Sequence, residues 1–304
     1  MGIHEFILKK IPVFMGKHDA KRIRKYKVEV DGIKEFCDIP YLASGHKYHK
    51  LDVYYPEDTR TPLPMIIDVH GGGWIYGEKE INKPYCLTLA KQGYIVVNIN
   101  YRLLPEVAFP DNLKDIFAAL NWVEENASEF FGDLDNLYIT GDSAGGHLVA
   151  TALAALADPD FAALCGVKSS LHFRAACLNC AVTDIEAFTK HDRIPLLKYF
   201  HKVFLGEDYK SSKYLKYLTT RNNKLEQFPP LFLISNEGDF LKRQVFAFVK
   251  ECERRKIAHE FYFTKQKDAK HKLEHVSCML YPDYEESVAV NKAMLDFFGK
   301  YAAK

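Results

Sequence analysis

The sequence lacks a long apolar run, an excess of charge of either sign, and any internal repeat or low-complexity tract. None of its stretches approaches the roughly 20 consecutive apolar residues that a membrane-spanning helix needs. The 41 basic and 40 acidic side chains leave a formal net charge of +1 at pH 7, which gives no electrostatic reason to expect a nucleic acid. We therefore expect neither a membrane nor a nucleic acid among its partners.

The cysteines do not form the pattern of a disulfide framework. Seven of them are scattered from Cys37 to Cys278, an odd number in a long chain, which favours reduced thiols in the cytoplasm. Cys177 and Cys180 have the C-x-x-C spacing, but they lie in an apolar run, residues 175–182, that is typical of a buried strand. We interpret them as buried strand cysteines rather than as a redox pair or a metal site.

Apolar residues are abundant, and their spacing alternates between two periods. Hydrophobic residues make up 48% of the chain and aromatic residues 13%, enough to bury a sizeable core. The short apolar, β-prone runs that predict strands are 26–39, 47–55, 63–70, 94–100, 137–140, 175–182, 231–235 and 259–264. The longer runs that predict helices are 80–92, 110–126, 147–157, 241–256 and 284–298. This alternation predicts an α/β fold with a mostly parallel, doubly wound sheet and helices on both faces.

Two segments depart from this alternation. Residues 184–229 contain no strand candidate and many aromatic and basic residues, which predicts a helical lid above the sheet; a helical excursion remote from the chemistry is the alternative. Residues 1–25 mix apolar with basic side chains, which suits either a segment folded over the protein or a basic helix on a membrane surface. Pro12 and Gly16 interrupt the periodicity and favour the folded segment. We expect no secretory signal here, because no uninterrupted apolar core precedes a small-residue cleavage site.

The most informative stretch is Gly141-Asp142-Ser143-Ala144-Gly145, which lies between a predicted strand and a predicted helix. G-x-S-x-G in that context is typical of a nucleophile elbow. A sharp, strained turn projects the serine hydroxyl towards a base and a substrate carbonyl, and it leaves no room for side chains two positions away. The N–H of Ala144, at the start of the helix, would point towards a developing negative charge. The alternative is an ordinary serine in a glycine-rich connection.

A second glycine-rich stretch, His70-Gly71-Gly72-Gly73-Trp74, follows the third predicted strand. Three consecutive glycines leave backbone N–H groups open to the close approach of a charged oxygen. A flexible loop or a phosphate cradle would also fit. The phosphate interpretation is weak, because the run matches neither the P-loop nor the dinucleotide-binding pattern.

A serine nucleophile needs an imidazole base, and the imidazole needs a carboxylate that fixes its tautomer. In a doubly wound sheet both should lie on loops at the carboxyl ends of later strands. Asp239 follows the seventh predicted strand and His275 follows the eighth, so the order is serine, aspartate, histidine, as in an α/β-hydrolase triad. Glu237 is the rival acid and His271 the rival base. We favour Asp239 because Glu237 lies closer to the strand and before the glycine, and His275 because it lies nearer the final helix.

His271 to His275 also matches H-x-x-E-H, a zinc-binding motif when it lies on a helix. Here it lies in a lysine-rich stretch that joins a strand to a helix, and the sequence indicates no third ligand. We therefore expect neither a metal nor another cofactor.

Together these stretches resemble the hormone-sensitive-lipase-like carboxylesterases. The paired motifs are residues 70–74 and 141–146, and the connecting segment Asn100-Tyr-Arg-Leu-Leu-Pro-Glu106 also matches that family. The resemblance begins near Leu51 and extends to the end of the chain. It implies an α/β-hydrolase fold of two parts, residues 46–183 and 230–304. It further implies that residues 184–229 are a cap insertion and that residues 1–45 contribute to the cap.

The same resemblance assigns an oxyanion hole to the backbone N–H groups of Gly72, Gly73 and Ala144, with Gly71 less firmly placed. The chain departs from the family pattern beside the acid, where Phe240 replaces a more common proline. This departure affects substrate preference more than the reaction, because the acid itself is retained.

The sequence therefore predicts a serine carboxylester hydrolase that acts on short-chain, acetyl-like esters through an acyl-enzyme intermediate. Ser143 would be the nucleophile, His275 the base and Asp239 its carboxylate partner. Two alternatives stay open: an aryl amide hydrolase similar to kynurenine formamidases, whose H-G-G-x-W pattern also fits, and a non-catalytic receptor of the same fold. The expected partner is a small-molecule ester, the expected location is the cytoplasm, and a homodimer is left open.

Overall fold

The computed structural model describes residues 3–25, 30–189 and 194–303. Its strands are β1 (Ile33–Pro40), β2 (Lys50–Pro56), β3 (Leu63–Val69), β4 (Ile95–Ile99), β5 (Gly132–Asp142), β6 (Ala175–Asn179), β7 (Leu231–Asn236) and β8 (His259–Thr264). They form one eight-stranded sheet in the order β1-β2-β4-β3-β5-β6-β7-β8. The pairs β1–β2 and β2–β4 are antiparallel, and every other pair is parallel.

The helices are α1 (Ile3–Lys25), α2 (Lys79–Lys91), α3 (Asp111–Asn126), α4 (Ser143–Ala157), α5 (Pro159–Cys165), α6 (Ile185–Thr189), α7 (Pro195–Leu205), α8 (Leu215–Leu218), α9 (Lys242–Arg255), α10 (Ser277–Leu280) and α11 (Glu285–Lys300). Apolar residues of α3, α4 and α9 form one buried core with the sheet, and those of α2 and α11 form a second. The predicted doubly wound α/β-hydrolase fold is confirmed.

Burial on both faces explains why the central strands read as continuous apolar runs. In β3, Met65, Ile67 and Val69 belong to the core under α3 and α4, whereas Ile66 belongs to the core under α2 and α11. Successive side chains of a strand point to opposite faces, so a strand covered on both sides is apolar at nearly every position; in β3 the exception is Asp68.

The structure moves several predicted boundaries. The strand expected at 26–39 is observed as Ile33–Pro40; it begins after Gly32, whose φ is +75°, and residues 26–29 lie outside the described residues. The strand that carries the elbow is longer than predicted, and α4 begins at Ser143 rather than at residue 147, because the glycines after the serine already lie in its first turn.

Residues 184–229 form α6, α7, α8 and short 3-10 turns; within their described part the β structure is a single bridge between Asp184 and Thr219. Helix α1 packs against α7, as a segment folded over the protein would. Residues 33–40 fall in the segment that the resemblance assigns to the cap, but they form β1 at the edge of the sheet, as the strand prediction expects, because their backbone pairs with β2. The first 45 residues therefore divide between the cap region and the sheet.

Among the described residues, no single helix has the length and apolarity to cross a membrane. Helices α4 and α5 meet that test only when they are taken together, and the chain bends by 117° between them.

Candidate active site

Ser143 lies at the tight turn between β5 and α4, with a φ of +50°. This left-handed backbone conformation is strained for a residue other than glycine. The turn packs so closely that a Cβ at Gly145 would clash with the carbonyl oxygen of Val69, and one at Gly141 would lie 2.8 Å from the carbonyl carbon of Gly145. The strained serine and its two glycine neighbours therefore have the geometry that the sequence predicts.

The structure brings Ser143, His275 and Asp239 into one hydrogen-bonded line. The Oγ of Ser143 lies 2.9 Å from Nε2 of His275, and Nδ1 of His275 lies 2.7 Å from Oδ1 of Asp239. Asp239 is buried, and it also accepts hydrogen bonds from the hydroxyl of Ser235 at 2.7 Å and from the amide of Leu241 at 2.8 Å. A hydroxyl, an imidazole and a fixed carboxylate in this order can transfer a proton away from the hydroxyl oxygen.

Asp239 is held in its charged form. Burial alone would raise the pKa of this carboxyl, but the hydrogen bond and charge of His275 oppose it. Together with the bonds from Ser235 and Leu241 they keep the pKa of Asp239 below its usual value. The carboxylate is therefore ionised at neutral pH and can stabilise a positive charge on the imidazole ring.

The rival residues lie elsewhere. Glu237 is exposed and accepts a hydrogen bond from the amide of Gln266 at 2.7 Å. His271 stacks on Tyr284, with ring centroids 3.6 Å apart, and its Nδ1 lies 3.1 Å from Glu286. The H-x-x-E-H segment is not helical, and its two histidines have different partners, so it does not form the helical zinc motif.

The glycine loop, residues 70–77, lies against the elbow. The backbone N–H of Gly71 donates to Oδ1 of Asp142 at 2.7 Å and is therefore already engaged. Within the described part of the chain, the N–H groups of Gly72 and Gly73 have no protein acceptor. Ala144 lies in the first turn of α4, where backbone amides have no acceptor inside the helix. These three N–H groups can thus serve an oxyanion beside Ser143.

His70 holds the start of this loop. Its Nδ1 donates to the carbonyl of Gly71 at 2.8 Å, and its own carbonyl accepts from the hydroxyl of Tyr101 at 2.8 Å. The imidazole stacks on the Tyr101 ring with a centroid distance of 4.5 Å. Burial lowers the pKa of His70 to about 4, so the ring is neutral at pH 7 and is suited to a structural hydrogen bond.

Two buried carboxyl groups lie behind the loop, and the sequence interpretation missed them. Nδ2 of Asn82 donates to Oδ2 of Asp68 at 2.8 Å and to Oδ1 of Asp142 at 3.2 Å. Burial raises the pKa of Asp68 to about 8 and also raises that of Asp142. The sequence signal that could have indicated this pair of carboxyl groups is Asp68 itself, an aspartate within the apolar run of β3.

Cys180, the second cysteine of the C-x-x-C pair, lies close to Asp239 and His275. Its Sγ, a carboxylate oxygen of Asp239 and a ring nitrogen of His275 lie within 4.8 Å of one another. Three such atoms could approach a metal ion, but Asp239 and His275 are already hydrogen-bonded to each other. Cys177 and Cys180 are both buried free thiols, as predicted, but only Cys177 lies in a strand, because β6 ends at Asn179.

Phe240, which the sequence analysis noted beside the acid, also lies beside the base. Its side chain is 73% exposed, and its ring centroid lies 4.2 Å from that of His275. A single exposed phenylalanine is ordinary on a protein surface. Its position beside the imidazole, where the family more often has proline, is the feature that could influence substrate binding.

The sequence matches the family model described as BD-FAE over residues 51–242, more than half of the chain. Carboxylesterase NlhH of Mycobacterium tuberculosis is 39% identical over 130 residues, which cover 42% of this chain and 37% of that protein. Esterase LipQ of the same organism is 32% identical over 212 residues, which cover 66% of this chain and 48% of that protein. The aligned regions therefore span less than half of these curated relatives.

Solved structures match over nearly the whole chain. Esterase B from Lactobacillus rhamnosis is 28% identical with a TM-score of 0.89, and the match covers 99% of this chain and 97% of that one. A structure of the same esterase with a tributyrin phosphonate has a TM-score of 0.90 at 27% identity, covering 98% of this chain and 95% of that one. A bacterial heroin esterase is 22% identical with a TM-score of 0.74, and the match covers 98% of this chain and 93% of that one. At this identity the match supports the fold alone.

Proposed function

Because this chain belongs to the BD-FAE family of α/β-hydrolases, we propose that it is a carboxylic ester hydrolase with Ser143 as its nucleophile. The observation that carries the proposal is the hydrogen-bonded line from Ser143 through His275 to Asp239. Relatives named carboxylesterases and esterases support the same reaction class.

The proposed reaction proceeds through an acyl-enzyme. Ser143 Oγ attacks the ester carbonyl carbon while His275 Nε2 takes the hydroxyl proton, and Asp239 stabilises the imidazolium ion. The N–H groups of Gly72, Gly73 and Ala144 donate to the oxyanion of the tetrahedral intermediate. The imidazolium ion then protonates the departing alcohol oxygen. Water, deprotonated by His275, attacks the acyl-enzyme, and the collapse of the second intermediate returns the proton to Ser143.

A short acyl group fits the surroundings of the glycine loop. Trp74, which follows the last glycine, is buried against Phe204 with ring centroids 5.1 Å apart, and Phe200 lies 5.8 Å from the same indole. These aromatic rings of the insertion fill space next to the proposed oxyanion donors. A relative named versiconal hemiacetal acetate esterase, from Dothistroma septosporum, is 41% identical over 107 residues, which cover 35% of this chain and 32% of that protein. Its name supports an acetyl-like acyl group.

The alcohol side of the substrate would lie next to His275, because this residue protonates the leaving oxygen. Phe240 presents an exposed ring there. A flat apolar alcohol, such as a phenol, could stack on that ring. The same ring would also accept the aryl part of an amide, so an N-formylated aryl amine is the second candidate substrate.

Two measurements test the function together. A fluorophosphonate probe should label wild-type protein at Ser143, and p-nitrophenyl esters of increasing acyl length should show the highest kcat/KM for acetate or butyrate. Side-by-side turnover of an aryl acetate and an N-formylated aryl amine distinguishes ester from amide hydrolysis. Absence of both labelling and turnover would favour the non-catalytic receptor, and wild-type hydrolysis by Ser143→Ala would contradict the assigned nucleophile.

A cytoplasmic location is part of the same proposal. All seven cysteines are free thiols, and six of them are buried. Unpaired thiols in this number are typical of a reducing compartment.

A further inference from the structure

A buried arginine on α1 connects the two loops that carry the proposed chemistry. Arg22 is 6% exposed; its Nε donates to Oδ1 of Asp19 at 3.2 Å and its Nη1 to the carbonyl of Leu280 at 2.8 Å. A guanidinium suits this position because its planar group donates hydrogen bonds in two directions at once. The side chain thereby joins α1 to a residue near the other end of the chain.

On one side, the connection continues to the glycine loop. Oδ2 of Asp19 accepts a hydrogen bond from the hydroxyl of Tyr76 at 2.8 Å. The backbone N–H of Tyr76 donates to the carbonyl of Gly72 at 3.0 Å, and the Tyr76 carbonyl occupies the space that a side chain at Gly72 would need. A displacement of Tyr76 would therefore move Gly72, one of the proposed oxyanion donors.

On the other side, the connection continues to the base. Leu280 ends α10, a helix that begins two residues after His275, and the amides of Met279 and Leu280 donate to the carbonyl of Val276 at 3.0 and 3.2 Å. Val276 has a φ of +54°, which is unfavourable for a β-branched residue and must be held by its surroundings. The bond from Arg22 to Leu280 anchors the far end of this turn, from which His275 projects.

Apolar packing between α1 and the glycine loop is incomplete. A cavity of about 420 Å³ lies between Pro12, Val13 and Gly16 of α1 and Ile75 and Leu103 on the opposite side. Because side chains do not fill this space, the polar bonds of Arg22 and Asp19 are the firmer link between the helix and the loop.

We propose that Arg22, acting through Asp19 and Leu280, is a positioning residue that keeps the oxyanion donors and the imidazole aligned with Ser143. The inference rests on the proposed ester hydrolysis. Oxyanion donors must lie within about 2.7–3.1 Å of the developing charge, and a misplacement of about 1 Å can lower a rate by roughly 10²-fold. Binding of the ground-state ester does not need this alignment. We therefore expect loss of the alignment to lower kcat and to leave KM nearly unchanged.

The test compares Arg22→Gln with Lys21→Gln, which removes the same charge from an exposed neighbouring residue. We expect Arg22→Gln to lower kcat for p-nitrophenyl acetate about 10- to 100-fold, with KM unchanged within about twofold. The inhibition constant of a trifluoromethyl ketone, whose adduct with the serine carries an oxyanion, should rise in parallel with the loss in kcat. Lys21→Gln should match the wild type in both.

Tyr76→Phe provides a second variant that removes one hydroxyl and leaves Arg22 in place. It should lower kcat less than Arg22→Gln does, and the double variant should lose less than the product of the two single effects, because both residues act along one connection. Each rate is divided by the concentration of active sites, measured by titrating the serine with a fluorophosphonate. Unfolded protein therefore does not lower the apparent kcat.

Wild-type kcat and inhibitor affinity in Arg22→Gln would overturn the positioning role, as would equal losses in Arg22→Gln and Lys21→Gln. A wild-type protein without esterase activity would overturn the proposed function and this inference with it. An active wild type with an unaffected Arg22→Gln variant would overturn the inference alone.

Discussion

The carboxylate of Asp142 accepts a hydrogen bond from the backbone N–H of Gly71 at 2.7 Å, so the residue before the serine holds the first glycine of the loop. Asp142→Ala removes this acceptor and leaves a buried N–H without a partner, which costs about 1–3 kcal/mol of stability. We expect kcat for an aryl acetate to fall about 10-fold or more, since loss of one oxyanion donor costs roughly 10²–10³-fold. Asp142→Asn keeps an acceptor oxygen and serves as the matched control; an equal loss in both variants would contradict this role.

The backbone strain at Ser143 predicts opposite effects on activity and stability. Ser143→Gly removes the nucleophile but relieves the left-handed conformation at φ +50°, which costs a residue with a Cβ about 1–2 kcal/mol. Ser143→Ala also removes the nucleophile but keeps that strain. Both variants should lose more than about 10⁴-fold in kcat. Chemical denaturation should show Ser143→Gly to be more stable than Ser143→Ala; equal unfolding free energies would show that the turn stores little strain.

The three residues of the hydrogen-bonded line could be identified from the sequence because each is marked by its local context. Ser143 lies in a pentapeptide between a strand and a helix, and Asp239 and His275 each follow a predicted strand. A parallel sheet brings the carboxyl ends of its strands to one edge, so strand order alone brings these side chains near each other. Their catalytic roles stay a prediction until activity is measured.

Other features could not be predicted, because they depend on contacts between residues far apart in the chain. The bond between Arg22 and Leu280 joins positions separated by 258 residues, and no local pattern marks either one. The tilted contact between the rings of Phe240 and His275 depends on how two loops meet, although the replaced proline did mark the position. The edge strand β1 was predicted to begin seven residues too early, because its mostly exposed residues lack the apolar pattern that marks the ends of the central strands.

The contact between Phe240 and His275 predicts a selective effect on the alcohol part of the substrate. Phe240→Ala removes the exposed ring beside the base, so KM for phenyl acetate should rise about threefold or more, which corresponds to the roughly 0.5–1.5 kcal/mol of one aromatic contact. KM for ethyl acetate, which has no ring, should change little. Phe246→Ala is the matched control, because Phe246 is also partly exposed but packs on Phe261, away from the imidazole. Equal changes for both esters would contradict a stacking role.

The buried carboxyl of Asp68 predicts a specific pH dependence of stability. Burial raises its pKa to about 8 in the folded protein, whereas an aspartate in an unfolded chain has a pKa of about 4. Between these values the folded state binds more protons than the unfolded state, so the free energy of unfolding falls as pH rises from about 4 to about 8. Asp68→Asn removes this titration and keeps an oxygen that can accept from Asn82. Urea denaturation at intervals from pH 5 to 9 should show a flatter profile for Asp68→Asn than for the wild type.

The control for that profile is Asp58→Asn, since Asp58 is exposed and its replacement should leave the wild-type slope intact. Asp142 shares Asn82 with Asp68, and its pKa is also raised by burial, so it contributes to the slope with the same sign. The charge of Asp142 is one cause of the raised pKa of Asp68, so Asp142 ionises first, while Asp68 is still neutral. The variant should therefore lose the part of the slope that Asp68 supplies and keep the part that Asp142 supplies. A profile that keeps its wild-type slope would show that Asp68 is already ionised in the folded protein near neutral pH, which would contradict a pKa raised to about 8 by burial.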